Sequence, residues 1–148
     1  MPVLVPPVQT ALWATAQQVV ARRVLSRRGP SRLEKALAVG CLAAGAASAA
    51  GASRRFSAED TTWEPWAPER SSALVTDGPN AVSRNPMYVG MALTLVATGL
   101  LSGRPWTALA AGGLMATLTP QIEREEAALA RLFGDDYTAY TRRVRRWL

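Results

Sequence analysis

The chain has 148 residues, enough for one domain and too few for two ordinary ones, and carries 17 Lys+Arg against 11 Asp+Glu for a formal charge of +6. It has no histidine and one cysteine, Cys41, which excludes a disulfide framework, a thiolate metal site and the usual neutral-pH general base. The mean hydropathy of +0.03 conceals apolar blocks separated by arginine-rich connectors, a pattern that suits an anionic membrane surface and that nucleic-acid binding leaves unexplained.

The opening MPVLVPPVQT lacks a basic region followed by an apolar core and a small-residue cleavage site, so no cleaved signal peptide is expected. Pro6-Pro7 suits a helix start, and the first apolar block, 8–20, follows it; Gln17, Gln18 and the closing Arg22-Arg23 make it a weak span or an interfacial helix. The second block, 36–53, is uncharged and rich in alanine and glycine, with Gly40, Gly45 and Gly51 allowing close helix approach. It reads as a membrane span or as an alanine-rich core helix. Arginines 22, 23, 27, 28 and 32 precede it and Arg54 and Arg55 follow it, so two full spans would conflict with the positive-inside rule.

A polar stretch, 54–79, punctuated by Pro65, Pro68 and Pro79, is expected as an ordered loop. The third block, 87–101, and the fourth, 106–118, are joined by Ser102-Gly103-Arg104-Pro105 and must form an antiparallel helical hairpin, ending before Pro120. Each covers only about 20 to 25 Å, so flanking residues are needed to cross a bilayer. Beyond it, Ile122, Leu129, Phe133, Tyr137, Tyr140 and Val144 recur at helical spacing, with Gly134 as a helix C-cap and Asp135 or Asp136 as the next N-cap. The tail RRVRRWL sets arginines around an apolar stripe and is expected to lie as an amphipathic helix at a membrane surface. The fold class is therefore all-α, an integral membrane helical bundle with a hairpin and C-terminal amphipathic surface helices.

Chemistry concentrates at the mouth of that hairpin. Asn85 is a good N-cap and Pro86 a good first helical residue, so the third helix should present free amides there, an end that attracts anions. Arg84 beside it can grip a carboxylate in two places. From the other open end come Glu123, Glu125 and Glu126; Glu125 lies three and Glu126 four after Ile122, so both border the apolar stripe. Such a pair is costly unless it meets a cation, either an arginine in a structural clamp or a ligand ammonium.

The run SRNPMYVG with the later EREEAALARLFGDDYTAYTRRVRRWL resembles the isoprenylcysteine carboxyl methyltransferase and phospholipid methyltransferase superfamily of integral membrane enzymes. Their Arg-x-Pro-x-Tyr-x-Gly motif falls on Arg84, Pro86, Tyr88 and Gly90, and their Glu-Glu pair on Glu125 and Glu126; TTWEPWAPERSSALVTDGP and FGDDYTAY are similar to small bacterial members. The resemblance covers roughly 56–148, with Asn85 and Trp66 standing where relatives carry histidine. It implies a single domain over 1–148, with N-terminal helices to residue 55 and a cofactor-binding catalytic core from 56. It also implies S-adenosylmethionine as cofactor and no metal. Arg84, Tyr88 and Glu125 become the candidate catalytic residues, and Arg84, Asn85, Pro86, Tyr88, Gly90, Glu125, Glu126, Tyr137 and Tyr140 the candidate cofactor ligands. The glutamates would accept from the ammonium or ribose hydroxyls, Arg84 and the helix amides would hold the carboxylate, and the tyrosines would face the sulfonium. Gly90 would admit the adenosine or serve helix packing. The acceptor implied is lipid-like or small and apolar, or a phospholipid amine, reached from a multi-pass membrane protein with its catalytic face in the cytosol. The alternative of another class is a non-catalytic membrane scaffold or assembly protein.

Overall fold

Ser31 accepts from the amide of Glu34 through its hydroxyl, and the Glu34 carboxylate takes the Ser31 amide in return at 2.7 Å, a capping box that starts the longest apolar helix right after Pro30. The computed structural model describes residues 5–23, 28–62 and 68–148, and every regular element among them is helical. Four α-helices run in order: α1 (Pro6–Arg23), α2 (Arg32–Ala58), α3 (Pro86–Leu101) and α4 (Ala110–Arg143). Short 3-10 turns occupy Pro68–Arg70, Gly78–Ala81 and Pro105–Leu109. Arg27 and Trp66 lie outside the described residues.

Two units divide the chain, one of Met1–Ala47 with Gly90–Leu118 and one of Ser48–Val89 with Thr119–Leu148. In the first, α1 turns its glutamines inward and its aliphatic residues outward. Gln9 and Gln17 are buried while Val8, Leu12, Val19 and Val20 are exposed. The Gln17 amide donates to the Leu95 carbonyl of α3 at 2.9 Å, and the Thr98 hydroxyl donates back to Gln17 at 3.0 Å. α1 also packs on the Pro105–Leu109 turn. Polar groups inside and apolar groups outside are what a helix bundle in lipid requires, because hydrocarbon cannot satisfy an amide.

α2 carries the charge-free stretch and is long and apolar enough to cross a membrane. Only 17% of its apolar window is buried in the protein, and Leu33, Leu37, Val39 and Leu42 are exposed, so it is not the core helix of a soluble fold. Its Gly45 meets the Gly90 backbone of α3 so closely that an added methyl would sit 3.0 Å from the Gly90 carbonyl oxygen. Arg54 and Arg55, expected in the loop, belong to the last turns of α2, where cations favour the helix dipole.

α4 differs from expectation at both ends. The fourth apolar block opens as the Pro105–Leu109 turn, and the helix that follows does not stop before Pro120 but runs through it. Leu118 and Ile122, fully buried on either side, hold the chain helical although Pro120 cannot donate its amide. Gly134, at φ 51° and ψ −118°, bends α4 as the expected cap site. In the second unit, Tyr137, Tyr140 and Val144 form a core with Leu74, Leu129 and Phe133, which bears out the apolar stripe. The arginine-rich tail is not a helix to its end: α4 stops at Arg143 and the last residues turn away.

Candidate functional site

α3 starts at Pro86, and the Asn85 carbonyl receives the Val89 amide at 3.0 Å, as a helix start requires. The end is closed rather than open. Ser83, Asn85 and Pro86 are buried, and the chain tail covers them. The Arg146 carbonyl accepts from the Asn85 side-chain amide at 3.0 Å and from the Ser83 hydroxyl at 3.2 Å, while the Arg145 carbonyl accepts from the Arg84 amide at 2.9 Å. These bonds explain why the tail leaves the helix: carbonyls freed after Arg143 find donors on the loop before α3. The burial of Asn85 and Pro86 differs from the open helix end expected there.

Successive residues on a helix point about 100° apart, so Glu125 and Glu126 face different neighbours. Glu126 lies between two guanidinium groups. Arg84 donates to its Oε1 through Nη2 at 2.7 Å and Nε at 3.3 Å, and Arg146 donates to Oε2 at 2.7 Å. Arg84 Nη1 reaches the Val144 and Thr141 carbonyls at 3.1 and 3.4 Å. Burial raises the Glu126 pKa, but the bonds from Arg146 and Arg84 outweigh it and leave the group below the ordinary carboxylate value. The structural clamp is thus formed, with Glu126 as the partner.

Glu125 has other company. Its Oε1 accepts from the Tyr88 hydroxyl at 2.8 Å and from the Gln121 amide at 2.9 Å, and Gln121 donates to the Tyr88 oxygen at 3.1 Å. No cation among the described residues pairs with it. Burial pushes its pKa up, aided by the neighbouring Glu126 charge and opposed by the Gln121 and Tyr88 bonds.

The two tyrosines of α4 feel the charges of the Arg84 clamp but have other contacts. Tyr140 is buried in the α4 core and donates to the Asn80 carbonyl at 2.6 Å; Tyr137 packs edge-on against it with ring centres 6.2 Å apart. Burial raises both phenols to about 12, so they stay protonated near neutrality. Gly90 belongs to the first unit, where it meets Gly45. Arg146 and Gln121 were not singled out by sequence. Gln121 stands four before Glu125, a helical spacing that could have marked it, whereas Arg146 was hidden among four tail arginines.

A profile of the phospholipid methyltransferase family matches residues 33–136. The chain belongs to this family. It is also 39% identical over 72 residues to the protein-S-isoprenylcysteine O-methyltransferase of Schizosaccharomyces pombe, a match over 48% of this chain and 30% of that protein. The chain thus spans under a third of the relative it matches. No solved structure matches it. Arg84, Tyr88, Glu125 and Glu126 lie within the phospholipid methyltransferase match, while Tyr137, Tyr140 and Arg146 lie beyond it.

Proposed function

We propose that this phospholipid methyltransferase family member is an S-adenosylmethionine-dependent methyltransferase of the membrane, with its site in the 56–148 part of a single catalytic domain. The observation that carries the reading is the unequal glutamate pair. Glu126 is neutralised by Arg84 and Arg146, whereas Glu125 is half-buried and lacks a cation among the described residues. A carboxylate half-withdrawn from water without a cation is costly, and a cationic ligand accounts for it.

S-adenosylmethionine, when bound, supplies an activated methyl on a sulfonium and an ammonium on its methionine end. Glu125 fits those positive groups, held in place by Tyr88 and Gln121. Arg84 fits a carboxylate and already holds that of Glu126, so it serves as clamp and is the group suited to the methionine carboxylate. Transfer from a sulfonium needs alignment and exclusion of water rather than a strong base, which suits a chain without histidine.

The acceptor class supported is lipid-like or small and apolar, bearing a carboxylate, thiolate or amine. The family's name points to a phospholipid, and that of the fission yeast relative to an isoprenylcysteine. Exposed aliphatic faces on α1 and α2 support a multi-pass membrane protein reached from the bilayer, and the catalytic face is assigned to the cytosol because the cofactor is made there. The test is transfer of label from methyl-labelled S-adenosylmethionine by the purified protein into a host lipid extract or a water-soluble extract. Label in the organic phase supports the whole reading. Label only in water-soluble products removes the lipid acceptor, and neither binding nor transfer in any extract favours the scaffold.

A further inference from the structure

The side chains around Glu125 have spent their donors. Gln121 uses its amide hydrogens on the Tyr88 oxygen and on Glu125, and Tyr88 uses its only hydroxyl hydrogen on Glu125. Gln121 is 6% exposed, and its Oε1 is buried with no donor reaching it from the described residues. The amide cannot be turned to relieve this, because its oxygen would then oppose the carboxylate. An amide oxygen buried in that way is uncommon, and beside a carboxylate without a cation it marks a place for a group that donates hydrogen bonds and carries positive charge.

We propose that Gln121 Oε1 and the Glu125 carboxylate form an acceptor-only subsite for an ammonium group bearing N–H bonds. The inference rests on the methyltransferase reading and deepens it. It makes Gln121 a specificity-determining residue. A primary or secondary ammonium satisfies both oxygens at once, whereas a quaternary ammonium has no hydrogen to give and leaves Gln121 unpaired. Two sources supply such a group, the amino end of the methyl donor and an amine headgroup of the acceptor.

The test is a pair of preferences measured on the full chain in lipid nanodiscs. The first compares affinity for S-adenosylhomocysteine with that for its deaminated analogue. The second compares retention of a labelled ethanolamine phospholipid with that of its choline counterpart. In the wild type, at least one pair should favour the N–H-bearing ligand, and Gln121→Met should lower that preference about tenfold, the worth of one hydrogen bond to a charged group. Disturbed packing alone would weaken both members of a pair alike. If the methionine variant does not fold, Gln121→Leu serves in its place and should lower the preference in the same way. Loss of preference in the first pair assigns the subsite to the methyl donor, and in the second to the acceptor amine; both outcomes support it. Preferences that Gln121→Met leaves unchanged overturn it while cofactor binding still stands. A wild-type protein that binds no S-adenosyl ligand overturns the methyltransferase reading and the subsite with it.

Discussion

Arg84 and Glu126, separated by 42 positions, are joined through Nη2 and Oε1 at 2.7 Å, and each is largely buried. The pair links the loop before α3 to the polar half of α4, and Arg146 closes it from the tail. Arg84→Met should therefore lower the melting temperature of the ligand-free protein in detergent, by the equivalent of about 1.5 to 3 kcal/mol for lost charge-assisted hydrogen bonds, since Arg146 still neutralises Glu126. Arg84→Lys should recover part of that loss, since lysine keeps the charge but not the fork that reaches Glu126, Val144 and Thr141 together. A double-mutant cycle with Glu126→Gln checks it, and additive losses would show that the two residues act independently.

The two glutamates should give stability opposite responses to pH. Glu126 sits below its unfolded value of about 4.5, so its contribution is present above that value and is lost as pH falls through the folded one. Glu125 sits above the same reference, so its contribution is present at lower pH and is lost as pH rises through its folded value. Melting curves across pH should show a Glu125→Gln variant without the decline on the upper side. A Glu126→Gln variant should lose the acid-side slope and melt lower at neutral pH. Identical profiles for the two variants would mean that the glutamates share one environment.

How much of this was legible in sequence depends on what each signal encodes. The stripe from Ile122 to Val144 was readable because burial follows helical spacing, and Arg84 was correctly set against the glutamates because an apolar flank makes an unpaired carboxylate costly. Which glutamate pairs with it was not readable, since one residue's rotation about α4 decides and nothing local reports it. The tail failed for a similar reason. RRVRRWL has the pattern of a helix, but its carbonyls are claimed by Ser83, Arg84 and Asn85 about sixty residues earlier. Pro120 ends no helix because the burial of Leu118 and Ile122 on either side overrides the local rule.

Cofactor affinity should separate Glu125 from Glu126. Glu125→Gln removes a carboxylate that no arginine among the described residues uses, so S-adenosylmethionine binding should weaken by about 1.5 to 3 kcal/mol, the range for a hydrogen bond to a charged group. The melting temperature without ligand should hold or rise, because an uncompensated half-buried charge is gone. Calorimetry in detergent reads the affinity. Unchanged binding in Glu125→Gln, with binding lost only where stability is lost, would reduce the whole cluster to a structural clamp.

The last prediction concerns lipid. α2 exposes Leu33, Leu37, Val39 and Leu42 while burying Ala38 and Ala52 completely, so these large side chains lie on the outside and Ala38, Gly45 and Ala52 face the protein. In water that outer face would be an aggregation liability; in hydrocarbon it is the contact surface, and small residues inside let helices approach. The protein should then resist carbonate extraction from membranes. Leu42→Arg, near the middle of the apolar stretch, should impair insertion by about 2.5 to 3.5 kcal/mol, the penalty for arginine at a span centre. Lys35→Arg, at the charged start of α2, should have no such effect. Extraction of the wild type into the carbonate supernatant, or equal membrane retention of Leu42→Arg and Lys35→Arg, would show that α2 meets water rather than lipid on that face.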